Sequence, residues 1–319
     1  MGKHVGGVEM SKFNPGIIIK EYRIAKNVTQ EKLCDGICSV STLHRIENGK
    51  NEPSVFVLSS LLERLGYEAG KYFLSASSLQ EIFFSNTYSA IEAMIMNRKY
   101  DEANEAMERL ENAESLLKRD SGVEIRQQMI LVLKCSISQG NNENPTKLHE
   151  MIIGALALTI PDLEESKISE YMLCYNEISL LNMLATTYKR LGDEQKIIHI
   201  LQDIKKSMDM YYSDEYEKSR GYALTLYNLT NALGLAGKHD KVLEICEIAI
   251  PCCVNNKRLY LLPHLKFNKG CALFYMGDKE NSKHLIIEAI YALRNNEDFQ
   301  DAEIRAQFAE REMGLSLPY

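Results

Sequence analysis

The stretch TQEKLCDGICSVSTLHRIENGKNEPS, Thr29 to Ser54, decides how the first quarter of the chain folds. Thr29 is a good N-cap, because its hydroxyl can accept from a backbone N–H in the first turn. It opens a short helix from Gln30 to Asp35, with Gly36 at the turn and Lys32 where a capping box would want Glu or Gln. Ser39 or Ser41 caps a third helix running to about Asn48, with Leu43 and Ile46 inward, and Asn48-Gly49 stops it. Upstream, Pro15 suits a first helical turn, Ile18, Tyr22 and Ala25 recur at helical spacing, and Asn27 can close that helix. Downstream, Ser54 caps a last helix with the stripe Val55, Leu58, Leu62 and Leu65, ended by Gly66.

A short helix, a glycine turn and a polar-fronted third helix make the pattern of a helix-turn-helix. Its front needs hydrogen-bonding side chains that reach base edges, and Ser39, Ser41, Thr42, His44 and Arg45 supply them. Gln30, at the start of the second helix, is placed to meet a phosphate, and Lys50, just past the third, joins the expected DNA-binding set. Charge agrees with a local DNA contact. Residues 1–74 hold ten Lys/Arg against eight Asp/Glu, whereas the remainder holds 27 against 36. An acidic body repels nucleic acid, so the contact belongs to the head.

The quoted stretch resembles the Cro/phage-repressor (XRE) helix-turn-helix, in the version found in Gram-positive peptide-pheromone regulators. The resemblance implies that Arg23 and Glu47 form a structural ion pair between the first and third helices.

From Thr87 onward helical stretches alternate with short polar turns. Taking Arg98, Gly140, Gly192, Gly237 and Gly277 as equivalent, the steps are 42, 52, 45 and 40 residues. A period near 40 with a helix on each side means stacked helical hairpins. Leu184-Ala185-Thr186-Thr187-Tyr188, the Gly-Asp turns, and Ala103 and Ala289 at close-packing positions resemble degenerate tetratricopeptide (TPR) repeats. The second unit is expected to carry a long connection around Asn141 to Pro145. The fold class expected is all-α: a helix-turn-helix domain followed by a right-handed superhelical array of about five TPR-like hairpins. The divisions expected are a flexible tail 1–14, a head 15–74, a linker 75–86 and a body 87–319 ending in a capping helix near Asp301 to Glu312.

First helices of such a stack line a concave groove, and grooves of that kind take extended peptides. Asn suits the task because it both donates to and accepts from a peptide backbone. The expected groove set is Asn182, Asn228, Asn231 and Asn268 as a ladder along the first helices of successive repeats. Tyr227 is expected to line a side-chain pocket, and Lys189, Lys266 or Lys269 to hold a terminal carboxylate.

A helix-turn-helix head on a TPR body resembles the Gram-positive cytoplasmic quorum-sensing regulators, the Rgg/PlcR/PrgX/NprR (RRNPP) group. That resemblance implies a transcription regulator acting as a homodimer on palindromic double-stranded DNA. It also implies control by a short linear signalling peptide held in the groove. The competing reading is a TPR module that binds and inhibits or dephosphorylates a response regulator, for which Gln127-Gln128 is the only carboxamide cluster. No P-loop, GxGxxG, HExxH or GxSxG motif is present, so no enzyme and no cofactor is expected. The eight cysteines form no CxxC pair and no metal site is expected; they read as small buried hydrophobes. No stretch approaches ~18 uninterrupted apolar residues, so no membrane span is expected, and the N-terminus lacks a secretory apolar region.

Overall fold

The computed structural model describes residues 14–67, 78–117, 120 and 122–315. Among these, fifteen α-helices and two short 3-10 turns account for all regular structure, and there is no strand. The head comprises α1 (Pro15–Ala25), α2 (Gln30–Cys34), α3 (Val40–Glu47) and α4 (Val55–Arg64). Each begins at a capping side chain. Asn14 accepts from Gly16 N, Thr29 from Lys32 N, Ser39 from Thr42 N and Ser54 from Val57 N. Ser39, not Ser41, takes the cap of α3, because it is the one with extended backbone (φ −70, ψ 152). Asn27 and Gly36 turn the chain through left-handed conformations (φ +54 and +65) that Asn and Gly tolerate.

The body holds five hairpins. They are α5 (Leu79–Met96) with α6 (Tyr100–Ser115), α7 (Val123–Gly140) with α8 (Pro145–Ala157), α9 (Tyr175–Leu191) with α10 (Glu194–Tyr211), α11 (Glu215–Leu235) with α12 (His239–Asn255), and α13 (Leu262–Tyr275) with α14 (Lys279–Asn295). A terminal helix, α15 (Phe299–Met313), packs on the last hairpin. First helices touch in succession, α5 to α7 to α9 to α11 to α13, and form one continuous wall.

Several expectations change. The span 75–86 is not a linker throughout: α5 starts inside it at Leu79, because Ser78 and Glu81 form a complete capping box. Phe84 is fully buried and meets Phe56 of the head edge-on, ring centroids 5.4 Å apart. Residues 75–77, the head residues 68–74 and the tail residues 1–13 lie outside the described residues. The long connection is also elsewhere. Asn144 caps α8 with Pro145 in its first turn, so that link is short. The extended one runs from 158 to 174 through the 3-10 turn Glu165–Glu170. The left-handed residue of the second hairpin is Asn142 (φ +56) rather than Gly140. Gly140 ends α7, and its missing Cβ makes room for the Tyr100 ring, whose nearest atom would lie 2.2 Å from such a Cβ.

Head and body share one core. Ile19, Leu43, Ile46, Leu58 and Leu61 of the head are continuous with Phe84, Ile91, Leu110 and Leu133 of the first hairpins. A polar seam reinforces it. Arg64, buried, donates to the carbonyls of Leu33 and Asp35 and to Glu177 Oε1 (3.1 Å). Lys26 donates to Tyr211 O and to Ser213 Oγ (2.7 Å), and Lys32 to Tyr211 Oη (2.7 Å). At the other end, Arg98 in the first hairpin's turn donates to Gln300 Oε1 (2.6 Å) at the start of α15, so the last helix returns to the first repeat. All eight cysteines are free, five of them buried.

Candidate DNA-reading face and ligand cavity

On α3 the buried residues are Leu43, Ile46 and Glu47. The opposite face, at i, i+3, i+4 and i+7, presents Ser41, His44, Arg45 and Asn48, all exposed. Arg45 and Lys50 have no side-chain partner among the described residues, so both cations project freely. His44 Nε2 lies 3.2 Å from Asn48 Nδ2. Ser39 and Thr42 are more committed. Ser39 Oγ accepts from Thr42 N (3.1 Å) and lies 2.8 Å from Thr42 Oγ1 and 2.9 Å from Ser41 Oγ. Gln30 is tied inward as well, its Nε2 donating to Glu47 Oε2 at 2.6 Å.

Glu47 is the hub of the head. Arg23 grips it bidentately, Nε to Oε1 at 2.6 Å and Nη2 to Oε2 at 2.9 Å, and Arg23 Nη1 also reaches Val28 O (3.0 Å). Burial pushes the Glu47 carboxyl up, but hydrogen bonds from Arg23 and Gln30 and the Arg23 charge outweigh it and leave it below the usual range. A depressed folded pKa adds stability that is present above the unfolded value, about 4.3, and lost as pH falls through the folded one. The melting temperature of the full chain is therefore expected to fall on acidification below about pH 4. Glu47→Gln should start lower at neutral pH and show a flatter acid limb. Parallel curves for the two proteins would show that the carboxylate contributes nothing pH-dependent.

The amide ladder does not exist as four equivalent rungs; it is two bonded pairs. Asn182 is buried. Its Nδ2 donates to Ile178 O and Thr225 Oγ1 (both 2.9 Å), and its Oδ1 accepts from Asn228 Nδ2 (2.9 Å). That pair bolts α9 to α11 and is not part of the lining of the cavity into which the second pair opens. Asn268 Nδ2 donates to Asn231 Oδ1 and Thr230 Oγ1, both at 2.8 Å. This second pair opens into a cavity of about 650 Å³ bounded by α11, α13 and α15, with Lys189 at its rim. Tyr227 also lines it. Lys266 and Lys269 do not. They pair outward with Glu288 and Glu247 (2.6 Å for the latter) on the flanking second helices.

Sequence reasoning missed the third wall. From α15 come Asp301, Ile304, Arg305 and Phe308. Arg305 Nε donates to Asp301 Oδ2 (3.1 Å) and its Nη2 lies 3.3 Å from Tyr227 Oη and 3.0 Å from His264 Nδ1. Its guanidinium lies over the Phe267 ring, 4.8 Å from the centroid. His264 Nδ1 is 3.0 Å from Asp301 Oδ2. That hydrogen bond, with the Arg305 charge, outweighs burial and holds the Asp301 carboxyl well below the usual range. The ligand atoms of His264, Asp298 and Asp301 lie within 4.8 Å of one another. Arginines already balance both carboxylates there, Arg305 on Asp301 and Arg98 on Asp298 (3.5 Å).

These features define a helix-turn-helix head fused to a TPR-like hairpin array with a cavity on its inner wall. Residues 19–71 match the Helix-turn-helix family model (HTH_3). The chain is similar over its length to solved structures of peptide-responsive regulators. PlcR of Bacillus thuringiensis, in complex with the peptide PapR7 and DNA, shares 17% identity at a TM-score of 0.58, covering 92% of this chain and 98% of that one. Its apo form gives 16% and 0.57 over the same spans. The competence regulator ComR of Streptococcus vestibularis, in complex with its signalling peptide XIP, gives 15% and 0.50, covering 94% and 98%. At these identities the likeness is one of fold. No curated protein sequence matches the chain. No helix among the described residues is long and apolar enough to cross a membrane.

Proposed function

We propose that this protein is a DNA-binding transcription regulator whose activity is set by a short linear peptide bound in the inner-wall cavity of its hairpin array. One observation carries the reading. A helix-turn-helix with an exposed Ser41, His44, Arg45 and Asn48 face is anchored to a body in which the Asn231–Asn268 amide pair opens into a large cavity. The similar folds were solved with DNA and with signalling peptides, which supports the same division of labour here. A single small head covers little DNA, so the active form is a homodimer on a palindromic operator, where two heads multiply affinity. Such a regulator works in the cytoplasm and needs no chemistry of its own. The response-regulator reading has lost its motivating cluster, since Gln128 is buried and donates to Ala155 O (3.0 Å) and Thr159 Oγ1 (2.6 Å).

The test is binding of the full chain to its own upstream DNA, with and without synthetic peptides drawn from neighbouring small reading frames. Arg45→Ala is expected to weaken operator binding by ~1–3 kcal/mol, roughly a tenfold to hundredfold rise in Kd, while the melting temperature stays put. Unchanged operator affinity in Arg45→Ala would remove this residue from the reading face. Absence of any peptide effect on DNA binding would sink the regulatory half of the proposal.

A further inference from the structure

Resting on that reading, we infer that the cavity is a receptor for the C-terminal end of a peptide: Arg305 takes the free chain-terminal carboxylate, and a bulky apolar last side chain lies between Phe267, Phe308 and Ile304. Three features of the geometry lead there.

The first is a cation with a spare edge. Arg305 is largely buried and held on three sides, by Asp301 at Nε, by Tyr227 Oη at Nη2, and by the Phe267 ring beneath it. Its Nη1 has no partner among the described residues. A planar guanidinium so fixed presents its remaining N–H groups without further loss of side-chain freedom, which favours a carboxylate over a diffuse charge. Asp301 neutralises only part of the site. Lys189, also unpaired, stands at the rim, so two cations face one carboxylate in a body otherwise acidic.

The second is the amide pair. Asn231 and Asn268 spend one group each on one another. That leaves the Asn231 Nδ2 hydrogens and the Asn268 Oδ1, one donor and one acceptor side by side, which is the complement of a peptide unit's C=O and N–H. Tyr227 and Asn231 are four apart on α11, as are His264 and Asn268 on α13, so the amide layer lies one helical turn, ~5–6 Å, from the Arg305 layer. An extended chain covers that in about two residues at ~3.3 Å each. A peptide whose carboxylate sits on Arg305 therefore brings a backbone amide near its end to the Asn231–Asn268 pair.

The third is the wall. Phe267 and Phe308 meet edge-on, 6.1 Å between centroids, and Ile304 beside them is 56% exposed, an apolar side chain with nothing covering it. A terminal residue with an aromatic or branched aliphatic side chain would bury it.

The probe is a pair of synthetic random hexapeptide libraries, one with free C-termini and one amidated, passed over immobilised full-length protein and read by mass spectrometry. The expected result is at least tenfold more retained material from the free-acid library, with Phe, Tyr, Leu, Ile or Met enriched at the last position. Arg305→Gln should erase both the acid preference and the positional enrichment, and Arg305→Lys, which keeps the charge, should restore part of each. Equal retention of both libraries, indifferent to Arg305, overturns the carboxylate subsite while leaving a peptide-binding groove intact. An amidated library retained through internal Asp or Glu overturns it too, because the anion is then a side chain. Retention of neither library above a column of unrelated protein overturns the inference together with the peptide reading beneath it.

Discussion

Replacing Glu177 by alanine is expected to cost the folded chain about 3–5 kcal/mol, read as a lower urea midpoint, because it strands a buried arginine. Glu177 is fully buried where the head meets the body. Its Oε2 accepts from Cys174 N (2.6 Å), capping α9, and its Oε1 accepts from Thr159 Oγ1 (2.7 Å) and Arg64 Nη2 (3.1 Å). Arg64 arrives from α4 with a side chain 4% exposed, and its Nε has no acceptor even in the intact protein. Removing the carboxylate leaves the guanidinium with the Leu33 and Asp35 carbonyls alone. Glu177→Gln, which keeps an acceptor but not the charge, should fall between. The double replacement Arg64→Met with Glu177→Leu should cost less than the sum of its parts, since no charge is then left unpaired. A Glu177→Ala protein with the wild-type midpoint would mean that water enters the seam and the pair contributes nothing.

The parts of the molecule legible in the sequence were those decided within a few residues. Thr29, Ser39 and Ser54 cap helices by bonding N–H groups three positions on, so their role depends on no distant partner. The hairpin turns at Gly192, Gly237 and Gly277 are legible for the same reason, all left-handed positions that glycine fills without strain. Ser78 and Glu81 were a readable capping box, and their signal was overlooked because residues 75–86 read as a spacer. The groove was legible only in part. Whether a carboxamide on an inner helix faces the cavity or the next helix turns on a rotation of less than one residue step, ~100°. Asn231 and Asn268 fall on one side of that line, and Asn182 on the other. Arg305 was missed for a different reason. A terminal helix read as a polar cap gives no local sign that it folds back to form a wall. The spacing of Asp301, Ile304, Arg305 and Phe308 on one face was the available clue.

Gly36→Ala is expected to do comparable damage at the same seam, about 2–5 kcal/mol, from two effects that add. Gly36 has φ +65, where a side chain is strained. In addition, a Cβ there would lie 1.8 Å from Thr159 O, a backbone atom of the body that cannot swing aside. The turn between α2 and α3 is therefore seated directly on the polypeptide that carries Thr159, the same residue whose hydroxyl donates to Glu177. Gly66 makes the second close approach, a Cβ at its position falling 2.7 Å from Tyr212 Cα. Gly237→Ala separates the two effects. It has φ +68 but nothing within 4 Å of a Cβ, so it should suffer the strain alone, about 1–2 kcal/mol. If Gly36→Ala undocks the head, Lys26 and Lys32 lose Tyr211, and protease should cut between head and body at concentrations that leave wild type and Gly237→Ala intact. The α3-face residues Ser41, His44, Arg45 and Asn48 are exposed rather than buried in this contact, so the freed head keeps the face proposed to read DNA while losing its fixed orientation. Equal destabilisation of Gly36→Ala and Gly237→Ala would mean that the seam yields to a methyl group, and that head and body are coupled by the shared apolar core rather than by close backbone approach.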